Sequence, residues 1–210
     1  MPPVHSTNRK SRIFVLEGNP GQSTFCQVLA DSACEDARAG GAEVKYLRLS
    51  QMQFDSNLAE GYRQVQKLEP DLTAVQEALA WCDKLVLVHP LWWGSAPARL
   101  KGLFDRTLLP GFAFKYADGK DFPEKLLKGK TAHVLISSDT PEWYLRWGYG
   151  DGWPKILRKQ ILGFCGFEKV KIKTLGPLRK ATGAQRAAML LDARKFLKNS
   201  NKHAMPLDVS

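Results

Sequence analysis

The sequence predicts an α/β fold, a doubly wound five-stranded parallel sheet of order 2-1-3-4-5 with helices on both faces, and three observations carry that prediction. Three short runs, Ile13-Phe14-Val15-Leu16, Leu85-Val86-Leu87-Val88 and Val134-Leu135-Ile136, are apolar without alternation, as strands buried on both faces require. Each is followed within a few residues by Gly, Pro, Ser or Asp, which end strands. Helical periodicities lie between the strands, so strand and helix alternate along the chain.

Taken in order, the first strand is the Ile13 run, and the second, Val44 to Leu49, mixes apolar and basic residues as an edge strand does. Leu72, Val75, Leu79 and Cys82 mark a helix before the third strand at Leu85. Leu100, Leu103, Phe104 and Leu108 mark the next, before the fourth strand at Val134. In the fifth strand Val170, Ile172 and Thr174 alternate with Lys169, Lys171 and Lys173, whose charges discourage further pairing at that edge. Ala187, Leu190 and Leu197 mark a final helix. Right-handed crossovers between parallel strands then give the arrangement called flavodoxin-like, whose ligand sits outside the carboxyl ends of the first and third strands. A single domain is expected over residues 1–210, with residues 1–10 and 200–210 as loose polar tails.

Composition narrows the function. The 210 residues carry 31 Lys+Arg against 21 Asp+Glu, a formal charge of +10, with 44% hydrophobic content, enough for a sizeable core. No apolar stretch approaches the ~18–20 residues of a membrane span, and residues 1–10 lack the apolar run of an export signal, so a cytoplasmic protein is expected. Cys26, Cys34, Cys82 and Cys165 form no Cys-x-x-Cys pair and read as buried free thiols. His5 and His203 lie near the termini while His89 and His133 fall on strands, so no metal site is expected. Lysines and arginines are dispersed without a nucleic-acid motif, which favours a small anionic ligand over nucleic acid.

The chemistry should lie in the loops after the first, third and fourth strands. The first, Gly18-Asn19-Pro20-Gly21-Gln22-Ser23-Thr24-Phe25, sets hydroxyls beside the free N–H groups and positive dipole end of the next helix, a phosphate cradle. A capping box of Thr24 with Gln27 would explain the same hydroxyl without a ligand. The second, His89-Pro90-Leu91-Trp92-Trp93-Gly94-Ser95-Ala96-Pro97, holds two adjacent tryptophans that should cover a planar ring, another subunit, or the core beneath the loop. The third runs from Ser137-Ser138-Asp139-Thr140 through Trp143 and Trp147 to Tyr149 and Trp153, small hydroxyls followed by an aromatic wall.

Residues 90–116, above all Pro90-Leu91-Trp92-Trp93-Gly94-Ser95-Ala96-Pro97-Ala98-Arg99-Leu100-Lys101-Gly102-Leu103-Phe104-Asp105-Arg106 and Pro110-Gly111-Phe112-Ala113-Phe114-Lys115-Tyr116, together with Phe164-Cys165-Gly166-Phe167, resemble the flavodoxin-like NAD(P)H:quinone oxidoreductase family. That family includes the DT-diaphorases and the bacterial quinone and drug-modulator reductases, and the similarity covers roughly residues 12 to 198. By resemblance, Asn19 and Gln22, Ser23, Thr24 and Phe25 hold the phosphate of a flavin, and Pro90, Leu91, Trp92, Trp93 and Gly94 flank its ring. Ser137, Ser138, Asp139 and Thr140 approach the other edge, with Trp143 near the pocket. Phe114 and Tyr116 match aromatics that enter from a partner subunit, which implies a homodimer, and Trp147 and Tyr149 join them around the substrate.

The chain departs from DT-diaphorase where that enzyme carries a Tyr and a His assisting hydride transfer: Trp143 and Tyr149 stand there, leaving Tyr149 as the candidate for proton delivery. Asp139-Thr140 replaces a glycine pair. The compact length, without the C-terminal extension of the mammalian members, favours FMN over FAD. The resemblance implies ping-pong transfer from NAD(P)H to a quinone or similar acceptor through flavin N5. An alternative is a flavin-binding regulatory subunit of a membrane transport system, with incidental reductase activity.

Overall fold

A computed structural model describes residues 9–116, 119 and 122–199; residues 1–8 and 200–210, most of the expected tails, lie outside the described residues. The elements are β1 (Arg12–Glu17), α1 (Phe25–Ala39), β2 (Glu43–Arg48), α2 (Pro70–Trp81), β3 (Lys84–Pro90), α3 (Ala98–Thr107), β4 (Phe114–Lys115), β5 (Glu124–Lys125), β6 (Thr131–Ser137), α4 (Glu142–Trp147), α5 (Gly152–Ile156), α6 (Gly163–Cys165), β7 (Lys169–Leu175) and α7 (Gly183–Asn199). The main sheet runs β2-β1-β3-β6-β7, every neighbouring pair parallel. Counting only these five, the order is the expected 2-1-3-4-5. β4 and β5 form a separate two-residue antiparallel ribbon, too short to leave a periodicity.

The three central strands lack alternation because each feeds two cores. Phe14, Leu16, Leu85, Leu87, Val134 and Ile136 pack in one layer with α2, α3 and the helical stretch 152–165. Ile13, Val15, Val86, Val88 and Leu135 pack in the other with α1 and α7. α1 buries Cys26, Leu29, Ala30, Ala33 and Cys34 at helical spacing, but small side chains make that stripe weak in hydropathy. All four cysteines are free and buried. β2 ends at Arg48, and Leu49, itself buried, opens a 3-10 turn instead of closing the strand. Between α5 and α6 the backbone widens into a π-helical segment, Leu157–Leu162.

Arg106 of α3 is fully buried. It donates to the carbonyls of Asp55 and Lys67 (2.9 Å to the latter) and to the Glu69 carboxylate at 2.8 Å. The long connection between β2 and α2 is thereby fastened onto the face of α3. No helix among the described residues is long and apolar enough to cross a membrane.

Candidate functional site

The carboxyl ends of β1, β3, β6 and β7 are joined by backbone bonds that run between their loops. Gly18 N donates to Val88 O (2.7 Å), Leu91 N to Ser137 O (2.8 Å), Ser138 N to Leu175 O (2.9 Å) and Leu178 N to Ser138 O (3.1 Å). Gly176 lies so close that a Cβ there would stand 2.1 Å from Ser138 O, which only glycine permits. Above this platform opens a cleft of about 710 Å³. Its lining comprises Pro90, Leu91, Trp92, Trp93 and Gly94 from the β3 loop and Ile136, Ser137, Ser138, Asp139 and Thr140 from β6 and its loop. Leu145, Tyr149, Asp151, Gly152, Trp153 and Pro154 follow, with Thr174 and Leu178 at the β7 end.

Among the described residues, the non-glycine positions with positive φ are Ser23 (54°), Trp93 (49°) and Asp151 (57°). All three lie in site loops, where strained backbone is held by the surrounding structure. Trp93 and Gly94 (φ 72°) are the central residues of a turn closed by two 2.9 Å backbone bonds between Trp92 and Ser95. This is the doubly left-handed geometry of a tight hairpin turn. It leaves Trp93 wholly exposed and Trp92 48% exposed, so the tryptophan pair is not core packing.

The β1–α1 loop is shaped by its own side chains. Glu17 Oε1 accepts from Asn19 N (3.0 Å), Asn19 Oδ1 from Gly21 N (2.9 Å), and Thr24 Oγ1 from Gln27 N (3.3 Å). Gln27 reaches back to Ser23 N (3.1 Å), not to the cap residue itself, so the capping box is displaced by one residue. The N–H groups of Thr24, Phe25 and Cys26 have no acceptor among the described residues and remain for an anion. The Cys26 thiol lies 3.2 Å from Ser137 Oγ, joining this loop to the cleft. Burial pushes that thiol up to about 12, so it stays protonated and packs as an inert group.

His89 is completely buried beneath the cleft. Burial pushes its imidazole down to about 4, against the Pro90 carbonyl that favours the charged form, so it is neutral at ordinary pH. Its Nδ1 lies 2.8 Å from Pro90 O, which can only accept, and its Nε2 faces the Trp153 indole N–H at 3.3 Å. One tautomer satisfies both: Nδ1 carries the proton and Nε2 accepts. His89 thus fixes a wall of the cleft at Trp153 and the start of the β3 loop at Pro90.

Of the residues expected at the site, Pro90 to Gly94, Ser137 to Thr140 and Tyr149 line the cleft. Asn19, Gln22, Ser23, Thr24 and Phe25 form the adjoining loop and are not among its lining residues. Trp143 and Trp147 are exposed on α4, which buries none of its side chains, and also lie outside the lining. Phe114 is buried, edge-on to Phe164 at 5.0 Å and to Tyr116 at 5.4 Å, and only Tyr116 presents its ring to solvent. Sequence reasoning missed the His89–Trp153 pair. Its signal was a lone histidine near the end of an otherwise apolar strand.

Residues 11–197 match the sequence family described as flavodoxin-like fold. The chain is 27% identical over 171 residues to an uncharacterized NAD(P)H oxidoreductase of Haemophilus influenzae, covering 80% of this chain and 84% of that one. It is 32% identical over 136 residues to FMN-dependent NADH:quinone oxidoreductase 3 of Pseudomonas aeruginosa, covering 62% and 60%. It spans 38% of the length of NAD(P)H dehydrogenase [quinone] 1 of Rattus norvegicus and 48% of that of the ribosyldihydronicotinamide dehydrogenase [quinone] of Homo sapiens, and 76% of that of NAD(P)H dehydrogenase [quinone] 1 of Cavia porcellus. In three dimensions it resembles the NAD(P)H:quinone oxidoreductase of Methanothermobacter marburgensis, with a TM-score of 0.76 at 23% identity over 94% of this chain and 100% of that one. Because the match runs through all five strands of the parallel sheet and the loops at their carboxyl ends, the chain belongs to the family of flavodoxin-like fold.

Proposed function

We propose that this chain is a flavin-dependent NAD(P)H oxidoreductase that reduces quinones or similarly flat acceptors, with FMN as its cofactor in preference to FAD. The observation that carries the reading is the cleft of about 710 Å³ at the switch point, walled by aromatic and apolar residues on one side and small hydroxyls on the other. The residues fit the group. Three orphaned N–H groups at Thr24, Phe25 and Cys26 suit a phosphate, and the slot between residues 90–94 and 137–140 suits a planar ring. The names of the relatives, NAD(P)H oxidoreductase and FMN-dependent NADH:quinone oxidoreductase, accord with it.

When bound, the flavin supplies hydride acceptance and release at N5, which permits donor and acceptor to use one site in turn. The protein supplies the rest. Asn19 and Gln22 to Phe25 hold the phosphate, and Pro90 to Gly94 hold one flank of the ring with Trp92 and Trp93 covering it. Ser137 to Thr140 present hydroxyl and backbone groups to the other edge, where Thr140 N already donates to Ser138 Oγ at 2.9 Å. Tyr149 lines the cleft, and its phenol would hold or pass a proton. Trp143 and Trp147 extend the apolar rim. A homodimer would bring Tyr116, backed by Phe114, over the partner's cleft.

The test is the visible spectrum of the purified protein after addition of excess FMN or FAD and removal of unbound ligand, repeated after NADPH under nitrogen. A retained band that bleaches with NADPH and recovers with a quinone is expected. Retention without bleaching would overturn the oxidoreductase reading, and retention of neither flavin would overturn the cofactor assignment.

A further inference from the structure

The residue that opens the β1–α1 loop is a buried carboxylic acid. Glu17 ends β1 at 1% exposure, with Arg48 of β2 and Val88 of β3 as its register partners. Its Oε1 holds Asn19 N at 3.0 Å, Asn19 Oδ1 in turn holds Gly21 N at 2.9 Å, and these two bonds set the course of the loop toward Thr24. The groups that face it from the surrounding elements do not neutralise it. Arg48 is drawn to Asp31 of α1 at 2.9 Å and lies over the Tyr46 ring at 4.9 Å, while the Tyr46 hydroxyl also donates to Asp31 at 2.8 Å. Cys26, the other titratable neighbour, is a neutral thiol. An acid with no dedicated cation therefore opens the loop whose later N–H groups, at Thr24 to Cys26, await an anion, and it is near enough to act electrostatically on the Cys26 side chain.

We infer that Glu17 is a positioning residue that shapes the anion-binding loop and makes its hold on a phosphate group depend on proton uptake. The inference rests on the proposed flavin reading and adds to it the cofactor's charge as the feature sensed. Protonated, Glu17 still accepts from Asn19 N through its carbonyl oxygen and adds no charge. Ionised, it keeps that bond but repels a phosphate dianion across a poorly screened interior. Burial pushes the carboxyl up to about 7, against the lowering effects of the Asn19 N–H and Arg48, so the two states exchange near neutrality. Free phosphomonoesters have a second pKa of about 6 and become dianions as pH rises; their own ionisation would strengthen binding with pH, opposite to the effect of Glu17.

The experiment measures Kd for FMN and for riboflavin by flavin fluorescence quenching, between about pH 6.5 and 8.5, in the wild type and in Glu17→Gln, which keeps the acceptor without the charge. The wild type should lose about tenfold in FMN affinity over that range, the equivalent of one pKa unit. Riboflavin, without phosphate, should show no such loss, and the Gln variant should hold FMN more tightly than the wild type at the alkaline end, with a profile that does not fall as pH rises. Should the variant fold poorly, calorimetry of FMN binding to the wild type near pH 8 in two buffers of different ionisation enthalpy should still reveal net proton uptake. Matching FMN profiles in the two proteins, equal pH dependence for riboflavin, or the absence of proton uptake would overturn the inference. If neither protein retains a flavin, the flavin reading fails on its own; inorganic phosphate then serves as the probe. Its stabilisation of Tm should shrink with pH in the wild type and not in the variant, and no difference between them would overturn the role of Glu17.

Discussion

His89 shows how a single residue ties the core to the cleft. It stands among Val86, Leu87 and Val88, all buried, and its two nitrogens are used by Pro90 O and the Trp153 indole. Replacing it with Phe keeps an aromatic ring, slightly larger, but leaves the Trp153 N–H unpaired, which should cost roughly 1–3 kcal/mol with any overpacking added to it. Urea unfolding should report that loss, and Trp fluorescence of the native variant should shift as the cleft wall loosens. Its pH dependence has a definite sign. The folded-state pKa is about 4, below the usual value of 6.5, so the stability gained by keeping the ring neutral is present above pH 6.5. That stability is lost as pH falls through 6.5 toward 4. His133, also pushed down to about 4 by burial and the nearby Lys84 and Lys171, contributes in the same window. The His89→Phe variant should therefore lose less stability than the wild type between pH 6.5 and 4, and an equal loss in both would overturn this assignment.

At the scale of elements, the start of α1 combines helix capping with an open anion site. Thr24→Ala removes the cap to Gln27 N and should cost about 1 kcal/mol in chemical denaturation. Ser23→Gly should be neutral or stabilising, because Ser23 holds a φ of 54° that glycine adopts without strain. The double change Ser23→Ala with Thr24→Ala should leave the fold intact, by far-UV circular dichroism, and release flavin more readily; full retention would count against the cradle. These elements were legible in the sequence to different degrees. β1, β3 and β6 announce themselves because both their faces are buried by large aliphatic residues. α1 does not, since Ala30, Ala33, Cys26 and Cys34 supply a small-residue face. The ribbon of β4 and β5 and the π-helical turn have no periodicity to read, being fixed by local backbone bonds. The loop motifs at residues 18–25, 89–97 and 137–140 pointed to the site through their residue types. Trp153 already stood in the aromatic stretch that follows the last of them, whereas the contribution of Thr174 and Leu178 came only from tertiary placement, which no spacing along the chain encodes.

At the scale of the whole molecule, the sheet leaves several aromatic side chains uncovered around one end. Trp93, Tyr116, Trp143, Trp147 and Tyr149 are each at least 65% exposed, and large aromatic rings left in water are the usual material of interaction surfaces. Tyr116 is the most informative of them. It projects from the end of β4 with Phe114 locked edge-on behind it and Phe164 behind that, a stack that gives the exposed ring a fixed direction. A ring held from behind in this way, yet 65% exposed among the described residues, has the character of an interface anchor. Sedimentation equilibrium of the wild type should accordingly give a dimer. Tyr116→Asp sets an unpaired charge at the contact and should weaken association by about 10- to 100-fold, or roughly 1.4–2.8 kcal/mol. Because Tyr116 lies outside the residues that would hold the flavin, the variant should retain flavin while its KM for the acceptor rises, as the partner's ring leaves the cleft. A wild-type monomer with full turnover would remove the partner's ring from the site, and a dimer unchanged by the substitution would move the interface elsewhere on the molecule.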